Sequence, residues 1–131
     1  MNPKAVGEMS EAKILVAVME KGFIPSIPFG NNQRYDLLLD DGQTVLRAQC
    51  KTGWLDAGAI TFAVSSKNGF TGKRTHYKGQ VDVFLVYSPD LNKVYKVPVS
   101  LAPESQMRLR VDQPKLRGNK STVHWAKDFE F

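Results

Sequence analysis

Cysteine is almost absent from this chain of 131 residues, in which Cys50 is the only one. A single thiol excludes an intrachain disulfide framework and a zinc site built on cysteines, and it favours a reducing intracellular setting. The two histidines, His76 and His124, lack the spacing of a histidine metal motif. The longest apolar stretch, residues 14–19, is far shorter than a membrane span, and no signal-like segment opens the chain. We therefore expect a cytoplasmic protein without a membrane partner.

The composition is typical of one folded domain with an excess of positive charge. The chain is 42% hydrophobic and 24% charged, and its length allows one sizeable core. We expect a single domain over residues 1–131, with a core at about residues 4–99 and a basic extension at about residues 100–131. The 18 Lys and Arg residues against 13 acidic residues give a net charge of +5, which favours a polyanionic partner. Charge alone is equally typical of a basic protein with no such partner.

The predicted order of elements begins with one helix. Asn2 and Pro3 provide the N-cap and the first-turn proline of a helix that we predict over about residues 4–21. Its centre is apolar almost all round, which is typical of a helix packed on a sheet. The next segment has strand composition, but Pro25 and Pro28 each remove a ladder donor, which favours an edge or irregular strand.

Five further strands are indicated by alternating or apolar segments. RYDLLLD and QTVLRAQCK form a hairpin around a two-residue turn, and GAITFAVSS alternates as a half-buried third strand. VDVFLVYS is apolar enough for a central strand, and KVYKVPV pairs with it across a turn. The predicted fold class is therefore α/β. An αβββ unit, a reduced crossover and two more strands form a mixed sheet with the N-terminal helix packed on it.

Polar side chains gather on one face of the predicted hairpin. With a two-residue turn at residues 41–42, Asp36 lies opposite Arg47. Because side chains alternate along a strand, Gln49 and Lys51 then share the face of that pair. The aliphatic residues and the lone cysteine point to the other, packed face. A three-residue loop or a bulge would break this phase.

The cluster becomes a candidate magnesium site when the helix adds a second acid. Helical spacing puts Glu11 on the packed side of the helix, so we expect it to approach the hairpin. Asp36 and Glu11 supply the charge that Mg²⁺ requires, and the Gln49 oxygen and the Cys50 carbonyl complete the set, with Mn²⁺ as an alternative ion. A bound metal lowers the pKa of a coordinated water and polarises a phosphate, while Lys51 stabilises the charge of the transition state.

The order of these elements resembles the PD-(D/E)xK nuclease superfamily, whose motif is an acid on one strand and (D/E)-x-K on the next. A helix glutamate, a strand aspartate, a short hairpin and QCK carry the resemblance. The segments that follow, TG, YKGQVDVFLVY and VYKVPV, resemble the small branch that includes group I intron homing endonucleases and is similar to Holliday-junction resolvases. The resemblance covers about residues 7–99 and is weaker around HWAKDFEF.

By this resemblance Asp36 matches the motif acid, Gln49 the second acidic position and Lys51 the lysine. Glu11 matches the helix glutamate of the family. The resemblance implies a restriction-endonuclease-like core and a Mg²⁺-dependent endonuclease that hydrolyses DNA phosphodiesters, with homing endonuclease as the first biological label. It also implies double-stranded or branched DNA as the partner. Because one small domain has one site, we expect a homodimer or a higher homo-oligomer.

Departures from the family pattern keep other functions open. Gln49 stands where most members have an acid, although this branch includes a Q-x-K variant, and Tyr35 replaces the proline of the family name. A core helix after the third strand would have to fit within residues 67–80, where glycines make it short. The alternatives are a Holliday-junction resolvase or restriction-type nuclease, an RNA nuclease, and a non-catalytic DNA-binding module on a decayed nuclease scaffold.

Some of the site residues also have simpler interpretations. A less favoured explanation of Asp36 is a cross-strand ion pair with Arg47. Glu11 is explained by the first turn of a helix that is capped at Ser10. Cys50 is expected to be a small core residue and not a nucleophile, because it points away from the polar cluster.

Basic residues near the hairpin and in the glycine-rich crossover are candidate DNA contacts, since cations beside a nuclease site would bind the phosphate backbone. A solvated loop explains them too. The predicted DNA contacts are Arg34, Arg47, Lys67, Lys73, Arg74, His76, Tyr77 and Lys78. A second candidate strip consists of Arg108, Arg110, Lys115, Arg117 and Lys120.

Overall fold

The computed structural model of the protein describes residues 1–30, 33–67, 70–112 and 123–131. Within these ranges the chain forms one α-helix, α1 (Pro3–Glu20), and two short 3₁₀ helices, Val99–Leu101 and Ala126–Phe129. The strands are β1 (Ile24–Ser26), β2 (Leu37–Asp40), β3 (Val45–Thr52), β4 (Trp54–Asp56), β5 (Ala59–Ala63), β6 (Ser65–Lys67), β7 (Arg74–His76), β8 (Val83–Ser88), β9 (Lys93–Pro98) and β10 (Gln106–Arg110).

The N-terminal helix begins where the sequence predicted. Asn2 Oδ1 accepts a hydrogen bond from a backbone N–H of the first turn at 2.8 Å, and Pro3 occupies the first helical position. Ile14 and Val18 are fully buried against the sheet. Because α1 starts at Pro3, Glu11 lies in the middle of the helix, and its interpretation as a first-turn acid is wrong.

Ser10 is a buried contact between α1 and the sheet and not a helix cap. Its hydroxyl forms a hydrogen bond with the Thr52 hydroxyl at 2.6 Å. The outer side of the helix exposes Met9, Val16 and Met19, so α1 is apolar on both sides. No helix in the described ranges combines the length and the apolarity that a membrane crossing requires.

A five-stranded mixed sheet in the order β1-β2-β3-β8-β9 organises the fold. Neighbouring strands are antiparallel except for β3 and β8, which are parallel. β8 is buried along its whole length, as expected for an inner strand, and β9 returns antiparallel to it. β1 contains Pro25 and lies at the edge of the sheet. The α/β class with the N-terminal helix on a mixed sheet is thus confirmed.

The β2–β3 hairpin has a longer loop than the sequence predicted. Asp40 pairs with Val45, so the four residues 41–44 connect the strands. Asp41 Oδ1 accepts hydrogen bonds from two backbone N–H groups of the loop at 2.8 and 2.7 Å. An aspartate that bonds the backbone ahead of it stabilises a wider turn, and this replaces the two-residue turn.

The longer loop changes the pairing of the strands but not the phase of their side chains. Arg47 lies opposite Leu38, so the predicted pairing of Asp36 with Arg47 is wrong. Because the register moves by two residues, the side chains of the paired residues 37–40 and 45–48 keep the faces that were predicted for them. Leu39 and Ala48 are fully buried in the cluster beneath α1, as expected.

The predicted third strand lies outside the main sheet. β5 is the middle strand of a second sheet with the order β10-β5-β4, so a single sheet containing the whole αβββ unit is wrong. A turn at Ala57 and Gly58, with φ of 49° and 77°, folds β5 back onto β4. β10, from the basic C-terminal extension, pairs with the other side of β5. Pairing with these two strands takes β5 away from β3.

The segment between β5 and β8 contains a hairpin. β6 and β7 pair antiparallel, with Ser65 opposite His76. Within residues 67–80, for which the family pattern requires a short helix, the described residues contain none. Glycines disfavour a helix here, because they lose the most backbone freedom when they become helical.

Apolar clusters lie on both faces of the main sheet. The cluster beneath α1 contains Ile14, Val18, Leu37, Leu39, Ala48, Val83, Leu85 and Tyr87. The cluster between the main and second sheets includes Ile60, Phe62, Tyr77, Phe84, Val86, Tyr95, Met107 and Leu109. Gly53 lies where the two sheets meet, and its N–H donates to the Tyr87 carbonyl at 2.8 Å. A Cβ at this position would come within 2.5 Å of Ile60 Cγ2 and 2.7 Å of Val86 Cγ1.

Gly53→Ala should destabilise the protein, because the added methyl group overlaps Ile60 and Val86. We expect the free energy of unfolding to fall by about 1–3 kcal/mol, as in other overpacked cores, in urea denaturation. The matched control is Gly7→Ala in α1, where nothing lies within 4 Å of the new methyl group. The control should gain up to about 1 kcal/mol from helix propensity. Equal stability of the two variants would contradict the close approach at Gly53.

Candidate active site

Asp36 lies in the bend before β2 and is held against the backbone of β3. Its N–H donates to the Ala48 carbonyl at 2.9 Å, and its Oδ2 accepts from the Cys50 N–H at 2.9 Å. The paired residues of the hairpin end at Leu37 and Ala48, so Asp36 lies just beyond the strand register. Burial raises the pKa of Asp36, while the Cys50 N–H and the Lys51 charge offset part of that rise. The strand backbone thus orients the carboxylate through Oδ2.

Glu11 approaches Asp36 from α1. Both residues line one cavity of about 220 Å³ between α1, β2 and β3. The lining residues are Glu8, Glu11, Ala12, Leu15, Ile27, Asp36, Leu37 and Cys50. Partial burial raises the pKa of Glu11, and the negative charges of Asp36 and Glu8 raise it further. Two carboxyl groups that oppose each other's ionisation in one cavity favour a cation between them.

Cys50 contributes its backbone to the site while its thiol stays neutral. Burial raises the pKa of the Cys50 thiol, and the charges of Asp36 and Glu11 raise it further. A thiol in such surroundings is a poor nucleophile, which agrees with the prediction of a small packing residue. Cys50 lines the same cavity as Glu11 and Asp36, so the three residues lie close together.

Gln49 projects from the face of β3 opposite to Cys50. Its Oε1 is buried and has no hydrogen-bond partner among the residues that the structure describes. A buried acceptor without a partner costs about 1–3 kcal/mol. A partner supplied by the working site would remove this free-energy cost. A cation coordinated by the amide oxygen is such a partner.

Lys51 shares the face of Gln49 and is held by Tyr77. Its Nζ donates to the Tyr77 hydroxyl at 3.1 Å and lies 4.6 Å from the centre of that ring. Neither Gln49 nor Lys51 lines the cavity that contains Glu11. Asp36, in the bend before β2, is therefore the residue that joins the two halves of the site.

The available donors fit a hard divalent cation. Mg²⁺ takes one or two carboxylates from protein together with neutral oxygen ligands and water, and Glu11 and Asp36, which share one cavity, supply the carboxylates of that set. In the described part of the chain, no group of three or more His, Cys, Asp and Glu side chains could hold a metal ion. Neutral oxygens are therefore required beside the two carboxylates.

Arg47 is engaged by Asp82, which the sequence did not reveal as its partner. The Arg47 N–H and Nε donate to Asp82 Oδ2 at 2.8 and 3.3 Å, and Nη2 lies 3.2 Å from Oδ1. The Asp82 N–H in turn donates to the Arg47 carbonyl at 2.9 Å. These bonds connect β3 to the start of β8. The interpretation of Asp36 as only the ion-pair partner of Arg47 is therefore wrong.

The predicted DNA contacts fall in different surroundings. Arg34, Lys73, His76 and Lys78 are exposed, whereas Tyr77 is only 9% exposed. Lys67 and Arg74 face each other in the β6–β7 ladder, and their side chains lie outside the part of the chain that the structure describes. DNA binding by these residues stays a prediction.

The second basic strip is only partly visible. Arg108 and Arg110 lie on β10 and donate to the carbonyls of Asp56 and Ala57 at 3.0 and 3.2 Å. The other three members, Lys115, Arg117 and Lys120, lie outside the described residues. The two visible arginines thus have a structural role at the β4–β5 turn.

The whole chain, residues 1–131, matches the family model of PD-(D/E)XK endonucleases. The chain belongs to this family. Among solved structures it is similar to a bacterial homing endonuclease, with 20% identity over 99% of this chain and 89% of that one and a TM-score of 0.78. It is also similar to Hjc, a Holliday junction resolvase of Archaeoglobus fulgidus, with 16% identity over 79% of this chain and 83% of that one and a TM-score of 0.50. No curated protein matches the sequence.

The PD-(D/E)XK family confirms the resemblance seen in the sequence, and both structural neighbours share its fold. Nucleases of this family generally use divalent metals, which agrees with the paired carboxylates of Glu11 and Asp36. The match of Asp36, Gln49 and Lys51 to the family motif stays a prediction, and by it Gln49 stands at an acidic position and Tyr35 at the proline. Tyr35 packs against the cluster between the two sheets.

Glu11→Gln should raise the melting temperature at neutral pH in the presence of a chelator. Because the pKa of Glu11 is raised, its ionised form is disfavoured in the native state. The resulting loss of folding stability is absent below the ordinary glutamate pKa and grows as the pH rises through the pKa of the native state. We expect a rise on the order of 1–3 °C in thermal unfolding.

The control for this change is Glu20→Gln, on the same helix but outside the Asp36 cavity. It should leave the melting temperature unchanged. The advantage of Glu11→Gln should also disappear at low pH, where both side chains are neutral. A fall in the melting temperature of Glu11→Gln at neutral pH would contradict the repulsion between Glu11 and Asp36.

Proposed function

We propose that the protein is a metal-dependent DNA endonuclease that hydrolyses phosphodiester bonds, and that its biological role is that of a homing endonuclease. The observation that carries this proposal is the pair of carboxylates in one cavity, Glu11 and Asp36; on the opposite face of β3 lie the Gln49 oxygen, which has no partner among the described residues, and Lys51, which is held by Tyr77. The likeness to a bacterial homing endonuclease over 99% of the chain supports the choice of role.

Each side chain has a chemical task in this proposal. Glu11 and Asp36 hold Mg²⁺, or Mn²⁺ in its place, and the Gln49 oxygen and the Cys50 carbonyl are the neutral protein ligands. A bound ion polarises the scissile phosphate and lowers the pKa of a coordinated water. Lys51 directs its ammonium group toward the phosphate, where it orients water and offsets the negative charge that builds in the transition state.

DNA is the proposed substrate because exposed cations accompany the site. Arg34, Lys73 and Lys78 supply positive charge on the surface of the described residues, and the whole chain carries a net charge of +5. Such cations contact phosphates and position the duplex, but they do not read base sequence. One chain has one candidate site, so cutting both strands requires at least two copies, most simply a dimer with twofold symmetry.

Two other functions each have an observation in their favour. The likeness to an archaeal Holliday junction resolvase, at a TM-score of 0.50, favours branched DNA as the substrate. The missing charge at Gln49 favours a non-catalytic DNA-binding module on a nuclease scaffold. The cleavage experiment below separates both from the main proposal.

Asp36→Ala and Lys51→Ala should abolish cleavage while leaving the fold intact. Purified protein is incubated with plasmid DNA, with four-way junctions and with folded RNA in Mg²⁺, Mn²⁺ or a chelator, and products are resolved on gels. We expect the wild type to cut plasmid only with metal and each variant to lose at least about 100-fold in rate, since each removes a ligand or the charge-stabilising group.

Matched controls keep the charge changes but move them away from the site. Asp40→Ala removes an acid from the same strand, and Lys96→Ala removes a lysine that also lies over an aromatic ring, 5.6 Å from the centre of Phe23. Both controls should cut like the wild type. Preferential cleavage of junctions would favour the resolvase, cleavage of folded RNA would favour an RNA nuclease, and DNA binding without cleavage would favour the decayed module.

Gln49→Glu should tighten metal binding, because it restores the negative charge that most family members have at this position. We expect the dissociation constant for Mn²⁺ to fall by roughly tenfold in isothermal titration calorimetry. The control is Gln43→Glu, which adds the same charge in the exposed hairpin loop and should leave the affinity unchanged. An equal effect of both substitutions would mean that Gln49 is not a ligand.

A further inference from the structure

The side chain of Lys51 is unusually well fixed for a lysine. Its Nζ makes a hydrogen bond to the Tyr77 hydroxyl at 3.1 Å and lies 4.6 Å from the ring centre of the same residue. A lysine that is free in solvent samples many rotamers and loses that freedom whenever it must act from one position. Two contacts to one tyrosine remove much of this freedom before any substrate arrives.

Tyr77 is itself rigidly placed. Its ring is 9% exposed and packs edge-on against Phe84, with ring centres 5.6 Å apart. Its carbonyl accepts hydrogen bonds from the Gln80 and Val81 N–H groups at 2.9 and 3.0 Å. Phe84 belongs to β8 and pairs in register with Gln49 of β3. The tyrosine is therefore anchored to the same sheet that carries the candidate site.

We propose that Tyr77 is a positioning residue that holds the Lys51 ammonium in its working place, which rests on the nuclease function proposed above. Its hydroxyl takes one of the three donor directions of the ammonium group and leaves two for a phosphate oxygen and a water. Its ring face adds an attraction for the cation that does not depend on the hydroxyl. Tyr77 acts through Lys51 and does not touch the reacting atoms.

This role differs from the DNA contact that the sequence predicted for Tyr77. A side chain that binds the phosphate backbone lies on the surface, whereas this ring is packed into the cluster between the two sheets. The two roles give different measurements. Loss of a DNA contact weakens binding, while loss of a positioning contact slows the chemical step at unchanged affinity.

The test compares Tyr77→Phe with Tyr87→Phe. Both tyrosines are largely buried, at 9% and 7% exposure, and each loses one hydroxyl hydrogen bond, to Lys51 or to Asn92. Tyr87 belongs to the cluster beneath α1, away from Lys51. We expect Tyr77→Phe to lower the single-turnover cleavage rate by roughly tenfold with an unchanged dissociation constant for DNA, because it removes one hydrogen bond to a charged group. Tyr87→Phe should cut at the wild-type rate.

A spectroscopic measurement tests the placement without any reaction. The Lys51 Nζ lies over the Tyr77 ring, 4.6 Å from its centre, and the ε-methylene group is bonded directly to Nζ. The NMR resonances of the ε-methylene protons in wild-type protein should be displaced from those of other lysines by the ring current. Tyr77→Phe should preserve part of this displacement, and Tyr77→Leu should abolish it.

The outcomes distinguish failure of this inference from failure of the nuclease proposal. Wild-type protein that cuts DNA at the same rate as Tyr77→Phe would overturn the positioning role and leave the nuclease intact. Equal losses in Tyr77→Phe and Tyr87→Phe, or a loss explained wholly by weaker DNA binding, would overturn it as well. Wild-type protein that cuts neither DNA nor RNA with any divalent metal would overturn the nuclease proposal itself.

Discussion

The hydrogen bond from the Cys50 N–H to Asp36 Oδ2 is the contact on which the candidate site depends. It holds the carboxylate of Asp36, which directly precedes β2, against the inner strand β3. The acid therefore lies at the edge between the two faces of the sheet. Glu11 shares its cavity on the helix side, and Gln49 and Lys51 project from the other side of β3. Because the donor is a backbone group within the ladder, the acid is oriented by the pairing of two strands.

The site is unfavourable for the stability of the folded chain when considered alone. Burial raises the pKa of both Glu11 and Asp36, and each carboxylate opposes ionisation of the other or of the nearby thiol. The Gln49 oxygen adds a buried acceptor without a partner in the described part of the chain. The two apolar clusters that sandwich the main sheet offset these costs. Such a concentration of unfavourable groups is typical of functional sites and not of structural ones.

Local sequence patterns predicted much of the fold, but they did not predict the contacts between residues that lie far apart in the sequence. Alternation and composition located α1, the β2–β3 hairpin and the β8–β9 pair, because these depend on neighbouring residues. The loop length was missed because the side chain of Asp41 bonds the loop backbone. Asp36 was predicted on the face of Gln49 and Lys51, but it precedes β2 and lines the cavity beside Cys50, which those two residues do not line. Asp82, the partner of Arg47, lies 35 residues away across a parallel pair, and Tyr77 lies 26 residues from Lys51. No local sequence pattern indicates which distant residue contacts Arg47 or Lys51.

The parallel alignment of β3 with β8 also has a consequence for diversification of the protein. A parallel neighbour obliges the chain to leave the sheet after residue 52 and to return before residue 83. This excursion contains the second sheet's central hairpin and the β6–β7 arm, but none of Glu11, Asp36, Gln49 or Lys51. Turns of this segment that lie on the surface can therefore be lengthened, and with them the surface offered to a target, without moving these four residues. Its core residues, such as Ile60 and Phe62, and Tyr77 near its end would have to be kept, because they pack in the cluster between the two sheets.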